Sequence, residues 1–243
     1  MKRCLSTLAL LLAIGLTMTS CIGITTIRGS GTVAREQREV GGVTEVELGT
    51  IGRLEIRLGD KEELLIEGDD NLLAFIQTSM SGSRLTIKTR GGVTLLTREP
   101  MVFHLTVETL DAIVLSGLGS IDLPDNLQVS QLSATISGGG SLTMASLKAD
   151  KLQVNISGLG DLVVSGGQVV EQDIVISGGG NYSAPELQSD RAEIRLSGLG
   201  STAVRVQENL KVTISGGGLV RYSGNPTVEQ TVSGIGRVQH IEE

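Results

Sequence analysis

One tetrapeptide, Ser-Gly-x-Gly, recurs seven times between Ser116 and Gly236, starting at Ser116, Ser137, Ser157, Ser177, Ser197, Ser215 and Ser233. The spacing is nearly constant and tightens slightly over the last two copies. Each copy follows a short run ending in Leu115, Ile136, Ile156, Ile176, Leu196, Ile214 or Val232. A fixed period of about 20 residues is the mark of a solenoid, in which every unit stacks on the one before. Around each motif the apolar residues alternate, as in Leu152, Val154, Ile156 before it and Leu162, Val164 after it. That is the two-residue period of a strand with one buried face. The expected coil is a strand, a sharp corner and a strand of a second sheet. The glycine pairs Gly117/Gly119, Gly138/Gly140, Gly158/Gly160, Gly178/Gly180, Gly198/Gly200, Gly216/Gly218 and Gly234/Gly236 are expected to take positive φ at that corner. A second, polar corner carries Pro124-Asp-Asn, Ala149-Asp-Lys, Gly166-Gly167 or Ser189-Asp-Arg. The reading is all-β, a single-stranded parallel β-helix (β-solenoid) with about 20 residues per coil. With two Phe, two Tyr and no Trp, its core must be thin layers of Leu, Ile and Val.

The variable residue of the motif alternates without exception: Leu118, Gly139, Leu159, Gly179, Leu199, Gly217, Ile235. Flanking segments also match better between alternate copies than between neighbours, so either pairs of coils were duplicated or one coil holds two motifs. One motif per coil is favoured, because about 20 residues already supply two strands of ordinary length and two corners. Leu118, Leu159, Leu199 and Ile235 then share one edge. Pointing outward they form an apolar contact stripe; pointing inward they fill the corner.

Residues 1–20 read as an export signal. Lys2 and Arg3 precede an apolar stretch, Leu5 to Leu16, too short to span a membrane. Met18-Thr19-Ser20-Cys21 resembles the lipobox of bacterial lipoproteins, with Met where Leu is usual. The resemblance implies cleavage before Cys21 and lipidation of its sulfur and new amine. Cys4 lies in the leader, so the mature chain keeps one cysteine, and lipidation accounts for an unpaired thiol in an exported protein. Several acyl chains would hold the protein firmly at a membrane. The organisation expected is a lipoprotein signal peptide at 1–20, a tether at 21–35, and a β-helix at 36–241, with irregular coils over 36–110 and the regular ladder over 111–241. Within the irregular part, Val43 to Leu58 alternates around Gly49 and Gly52 as a degenerate copy, and Ser81-Gly82-Ser83-Arg84-Leu85 reads as another. Asp69 or Asp70 is expected to cap a helical turn over residues 71–76.

The repeated Ile/Leu-Ser-Gly-x-Gly with alternating apolar residues resembles the bacterial envelope family described as "putative auto-transporter adhesin, head GIN domain" (DUF2807). The segment Glu67-Gly-Asp-Asp-Asn-Leu-Leu-Ala-Phe-Ile76 and the following Ser83-Arg-Leu-Thr-Ile are similar to that family's N-terminal portion, so the resemblance spans most of residues 30 to 241. It implies a right-handed β-helix, an adhesive role and no catalytic residues. The variable corner residue is commonly Ser in the family and is Leu, Ile or Gly here.

A formal net charge of −7 without basic–aromatic clusters excludes nucleic acid as the expected partner. The only histidines, His104 and His240, lie in unrelated strands, so no catalytic acid–base pair is expected. Phosphate-loop and nucleophile-elbow motifs are absent from the sequence. Asp161 follows its motif as in a calcium β-roll, but the equivalent positions hold Ser120, Ser141, Asn181, Ser201, Leu219 and Arg237. A repeated calcium site needs a repeated carboxylate. No catalytic, metal or cofactor residue is expected. The leading reading is a lipid-anchored envelope scaffold or adhesin that contacts protein or glycan, with self-association open. The alternatives are a carbohydrate-active β-helix enzyme and a structural or sensory module without a ligand.

Overall fold

A computed structural model describes residues 25–242. The expected signal peptide and Cys21 lie outside the described residues. The N-terminal part holds β1 (Thr25–Arg28), β2 (Val33–Arg38), β3 (Glu45–Gly49), β4 (Arg53–Leu58), β5 (Glu63–Asp69), the single-turn helix α1 (Asp70–Leu73), β6 (Ile76–Ser81), β7 (Arg84–Thr89), β8 (Val93–Leu96) and β9 (Val102–Val107). The ladder follows with β10 (Ala112–Leu115), β11 (Ser120–Ile136), β12 (Ser141–Ile156), β13 (Asp161–Val164), β14 (Gly167–Ile176), β15 (Asn181–Leu196), β16 (Ser201–Ile214), β17 (Leu219–Ser223), β18 (Thr227–Val232) and β19 (Arg237–His240).

From β10 onward every pairing is parallel and links one coil to the next. Leu115 pairs with Ile136, Ile136 with Ile156, Ile156 with Ile176, Ile176 with Leu196, Leu196 with Ile214 and Ile214 with Val232. Each coil therefore holds one Ser-Gly-x-Gly, and the similarity between alternate copies reflects paired coils. Inward residues stack into continuous columns, such as Ile121–Leu142–Leu162–Tyr182–Thr202–Val220, all buried. Columns of this kind give a chain poor in aromatics a dry core one or two side chains thick.

Two expectations about the coil change. The long strands β11, β12 and β15 bend through the polar corner while still pairing, so a third ladder runs along Asn126–Val129, Ser146–Ala149, Gly167–Val169 and Leu187–Ser189. Leu127, Leu147 and Leu187 point inward from it and are buried. The side is shortened at β16, where Ala184 pairs with Val204 and Gln188 already with Arg205. That shortening accounts for the closer spacing of the last two motifs, at Ser215 and Ser233.

The glycine corners also work differently from the positive-φ expectation. Positive φ among the described residues is confined to Gly31, Gly42, Gly52, Gly82, Gly92, Gly167 and Gly224, none of them in the seven motifs. What the motif glycines supply is absence of a side chain. A Cβ at Gly138, Gly158, Gly178, Gly198 or Gly216 would lie inside 3 Å of the carbonyl oxygen of the matching glycine one coil earlier, and so would one at Gly140, Gly160, Gly180, Gly200 or Gly218. The coils approach so closely at this corner that only hydrogen fits between them.

The N-terminal part joins the same stack out of sequence order. β3 pairs with both β10 and β7, and β4 with both β11 and β9, all parallel. Gly49-Thr50-Ile51-Gly52 thus forms the corner beneath Ser116–Gly119. Beyond that coil the direction reverses, with β6 antiparallel to β7 and β5 antiparallel to both β9 and β2. Ser81–Leu85, read as a degenerate motif, is a hairpin turn with Gly82 at φ 62°. Residues 25–35, read as tether, contain β1, which pairs with β8, and the start of β2. The helical turn spans Asp70–Leu73, shorter than expected, and buries Leu72 and Leu73 over the end of the core. Arg38 spans the same end, donating to the Ile76 carbonyl at 2.9 Å and to Thr78 Oγ1 at 3.1 Å.

Candidate contact edge

Leu118, Leu159, Leu199 and Ile235 point outward: 74, 75, 78 and 88% of their surface is exposed. In a fold whose inward positions are almost fully buried, these are the four most exposed large apolar residues described. Coil stacking explains the alternation with glycine. A Cβ at Gly139 would meet Leu118 Cδ2 at 3.2 Å, one at Gly179 would meet Leu159 Cδ2 at 3.0 Å, and one at Gly217 would meet Leu199 Cδ2 at 3.0 Å. Each leucine leans over the next coil, and glycine leaves it room. The edge is a row of apolar side chains about 10 Å apart, two coil spacings, separated by glycine-floored notches.

Polar ladders flank the row. On one side stand the motif serines, Ser137, Ser157, Ser177, Ser197 and Ser215, all exposed. On the other, Asp161, Asn181 and Ser201 are stitched across coils. Asn181 Nδ2 donates to Asp161 Oδ1 at 2.7 Å, and Ser201 Oγ donates to Asn181 Oδ1 at 2.7 Å. Asp161, compared above with a calcium ligand, is thus held as an acceptor within this ladder. A shallow open depression lined by Leu118, Gly119, Gly139, Gly140 and Asp161 lies beside the row. The edge offers apolar and hydroxyl contacts at a fixed spacing, which suits an extended polymer better than a compact ligand.

The sequence reading did not single out Ile51. It occupies the variable position of the corner below Leu118, half-buried against the core, and continues the edge by one coil. The Gly49/Gly52 spacing was the signal for it.

Apart from Asp161, the charged groups named here lie away from the edge, mostly as neighbours on outer sheet faces. Arg53 pairs with Asp122 at 2.8 Å, Arg195 with Asp173 at 2.9 Å and Glu193 at 3.0 Å, and Lys151 with Glu171 at 3.0 Å. His104 Nδ1 lies 3.3 Å from Glu55, and His240 Nε2 lies 2.9 Å from the Gly224 carbonyl, so the two histidines belong to different strands and are not brought together. No group of three or more metal-ligating side chains occurs among the described residues.

Two buried polar clusters are structural. Tyr182 donates to Gln172 Oε1 at 2.6 Å, Gln172 Nε2 to Ser189 Oγ at 3.0 Å, and Ser189 Oγ to the Arg205 carbonyl at 2.8 Å. Burial pushes the Tyr182 phenol far above its ordinary range, so it stays protonated and donates. Asp69, also buried, does not cap α1. Its carboxylate accepts from the backbone N–H groups of Gly31 at 2.7 Å, Arg98 at 2.9 Å and Glu99 at 3.2 Å. Burial raises its pKa, but those three donors and the Arg98 charge outweigh that and hold it below the usual carboxylate value.

Comparison with known proteins gives a consistent result. Structural likeness is strong to a "putative adhesin" from Bacteroides fragilis, with 25% identity, TM-score 0.84, and coverage of 88% of this chain and all of that one. A second "putative adhesin", from Parabacteroides merdae, matches at 22% identity and TM-score 0.68, covering 89% and 99% of the two chains. A "putative lipid binding protein" from Parabacteroides distasonis matches at 19% identity and TM-score 0.76, covering 89% and 100%. Among curated proteins nothing matches the chain. The family model described as "putative auto-transporter adhesin, head GIN domain" matches residues 42–226, the stretch that runs from the coil beneath the ladder to just past its penultimate corner, and the chain belongs to that family.

Proposed function

We propose that this chain is an exported, lipid-anchored cell-envelope protein that works by contact rather than catalysis, and that the edge carrying Leu118, Leu159, Leu199 and Ile235 is its contact surface. The observation that carries the reading is the exposure of four large apolar side chains along one edge of a solenoid that buries nearly every other one. Family membership and the adhesin-like relative support the same role. Anchoring rests on the lipobox-like Met18–Cys21 and on Cys21 being the sole mature cysteine. An anchor at the chain's start would place the ladder outward from the membrane, with its edge open to protein or glycan.

The test is a binding screen against glycans and envelope proteins with the chain from Thr25 onward, alongside Leu159→Ser/Leu199→Ser. Loss of a hit in the double variant, with thermal unfolding unchanged, supports the edge. A hit that survives the substitution refutes it. Turnover of any polysaccharide in the same screen would overturn the non-catalytic part. Anchoring is tested separately by acyl-chain labelling of the full chain and of Cys21→Ser.

A further inference from the structure

A second concave feature lies away from the glycine corner. Two shallow depressions, of about 480 and 500 Å³, share Gln128, Val129 and Ser130 and so form one groove. It sits where the third ladder turns into the strand segment 131–136, and that segment separates it from the Ser-Gly-x-Gly edge. Gln128, Lys148 and Gln168 stand in register along one wall, with Ser130, Asp150 and Val170 along the other. Val129, Ala149 and Val169 pair from coil to coil as a small apolar floor. Asp111 extends the groove by one earlier coil. From Asp111 to Gln168 it therefore runs along the stack, across the strands, for about 14 Å.

The state of its polar side chains sets the groove apart. Just past it on each strand, neighbouring side chains engage one another: Gln131 donates to Gln153 at 2.7 Å, Lys151 lies 3.0 Å from Glu171, and Arg191 lies 4.0 Å from the same carboxylate. Within the groove, Asp111, Gln128, Lys148, Asp150 and Gln168 are exposed, and their side chains make no hydrogen bond or ion pair with another described residue. Donors and acceptors thus line one trough without using each other.

We propose that this groove is a second binding site, for a neutral, extended glycan of β-1,4-linked pyranoses. Its direction argues against a peptide. A peptide lying in it would cross the strands, and the N–H and C=O groups of Ser146–Ala149 and Gly167–Val169 are already used by neighbours on both sides, so strand addition is closed to it. Its lining suits sugars. Carboxamides donate and accept at once, as sugar hydroxyls and acetamides do. Its charge argues against polyanions, because Asp111 and Asp150 outnumber Lys148 on a chain of net charge −7. An open trough also suits a polymer better than a compact ligand, which needs a pocket enclosing most of its surface. In a β-1,4-linked chain each pyranose advances by close to one coil spacing, so about three sugars lie along the groove with a wall side chain meeting each. Lys148 and Asp150 meet the same ring from opposite walls, Lys148 donating to its oxygens and Asp150 accepting from its hydroxyls.

The site uses neither the anchor nor the leucine edge, so it stands or falls apart from them. Groove and edge occupy different corners of each coil. One ladder can therefore hold a glycan at the groove and a second partner along the leucine row.

The experiment uses the chain from Thr25 onward, which contains every strand and core residue described. Cello-, manno- and chito-oligosaccharides, from monosaccharide to hexamer, are titrated by calorimetry up to about 10 mM. Malto-oligosaccharides serve as the control of the same composition as the cello series but a curled shape, and oligogalacturonates as the anionic control. At least one of the three neutral series is expected to bind, gaining affinity up to about three units and little beyond. Gln128→Ala/Gln168→Ala and Asp150→Ala should each weaken binding at least about fivefold, the worth of one net hydrogen bond, with thermal unfolding unchanged. Lys151→Ala, in the neighbouring paired row, and Leu159→Ser/Leu199→Ser should bind like the parent. Silence from all three neutral series overturns the proposal, and so does binding that ignores both groove variants. Equal affinity for the malto or galacturonate series refutes selection by shape or by charge. Loss confined to the leucine variant would place the glycan on the edge, which separates the failure of this site from the failure of that one.

Discussion

Replacing Gly158 by alanine isolates the contact that shapes the whole ladder. The new Cβ would fall inside 3 Å of the Gly138 carbonyl oxygen and lie 2.7 Å from the Ser137 oxygen and 2.9 Å from the Ser137 carbonyl carbon. All three are backbone atoms, so relief requires the coils to separate locally. The Leu159 N–H to Gly138 carbonyl bond, 3.1 Å long, stretches as they do. Overpacking of this kind costs about 1–3 kcal/mol, and weakening one hydrogen bond adds about 1 kcal/mol. Alanine returns about 0.4–1 kcal/mol by restricting the unfolded chain. The net is a loss of about 1–3.5 kcal/mol, which lowers Tm by about 2–14 °C in a domain this size. Gly179→Ala is the matched control. It sits at the same corner one coil on, also outside the left-handed region, and its Cβ would meet only the mobile tip of exposed Leu159. Its stability should stay level or rise by up to about 1 kcal/mol. Urea unfolding of both variants, with slopes compared to confirm that the same surface unfolds, decides the matter. Equal effects at the two positions would refute the account of the corner as a contact between coils.

Two further predictions concern buried polar groups. Tyr182→Phe strands the Gln172 carbonyl oxygen in the core and should cost about 1–3 kcal/mol, read as a lower urea midpoint. Asp69, whose pKa is lowered by folding, contributes stability fully present above its unfolded value near 3.9 and lost as pH falls through the lower folded one. Urea midpoints measured across that acid range should therefore fall more steeply for the parent than for Asp69→Asn, which is less stable at neutral pH because its amide cannot accept from all three backbone donors.

The sequence by itself determined the solenoid, because two of its signals are periodic and local. Alternation such as Leu210, Val212, Ile214 needs no partner to reveal a strand with one buried face, and a glycine pair returning once per unit fixes the coil. It also put Leu118, Leu159, Leu199 and Ile235 on one edge. It could not say which way they point, since an apolar residue beside glycines suits a filled corner and an exposed one equally. Nor could it say why the glycines are there: φ is a property of one residue, whereas the clash that excludes a Cβ at Gly158 involves the Gly138 carbonyl, a whole coil earlier. The N-terminal cap was illegible for the same reason. β3 and β4 insert between β7/β9 and the ladder, and Asp69 is held by the N–H groups of Gly31 and Arg98, far from it on either side in the chain. Tertiary structure decided those features because each is a contact between segments distant in the chain, and only folding brings such segments within reach.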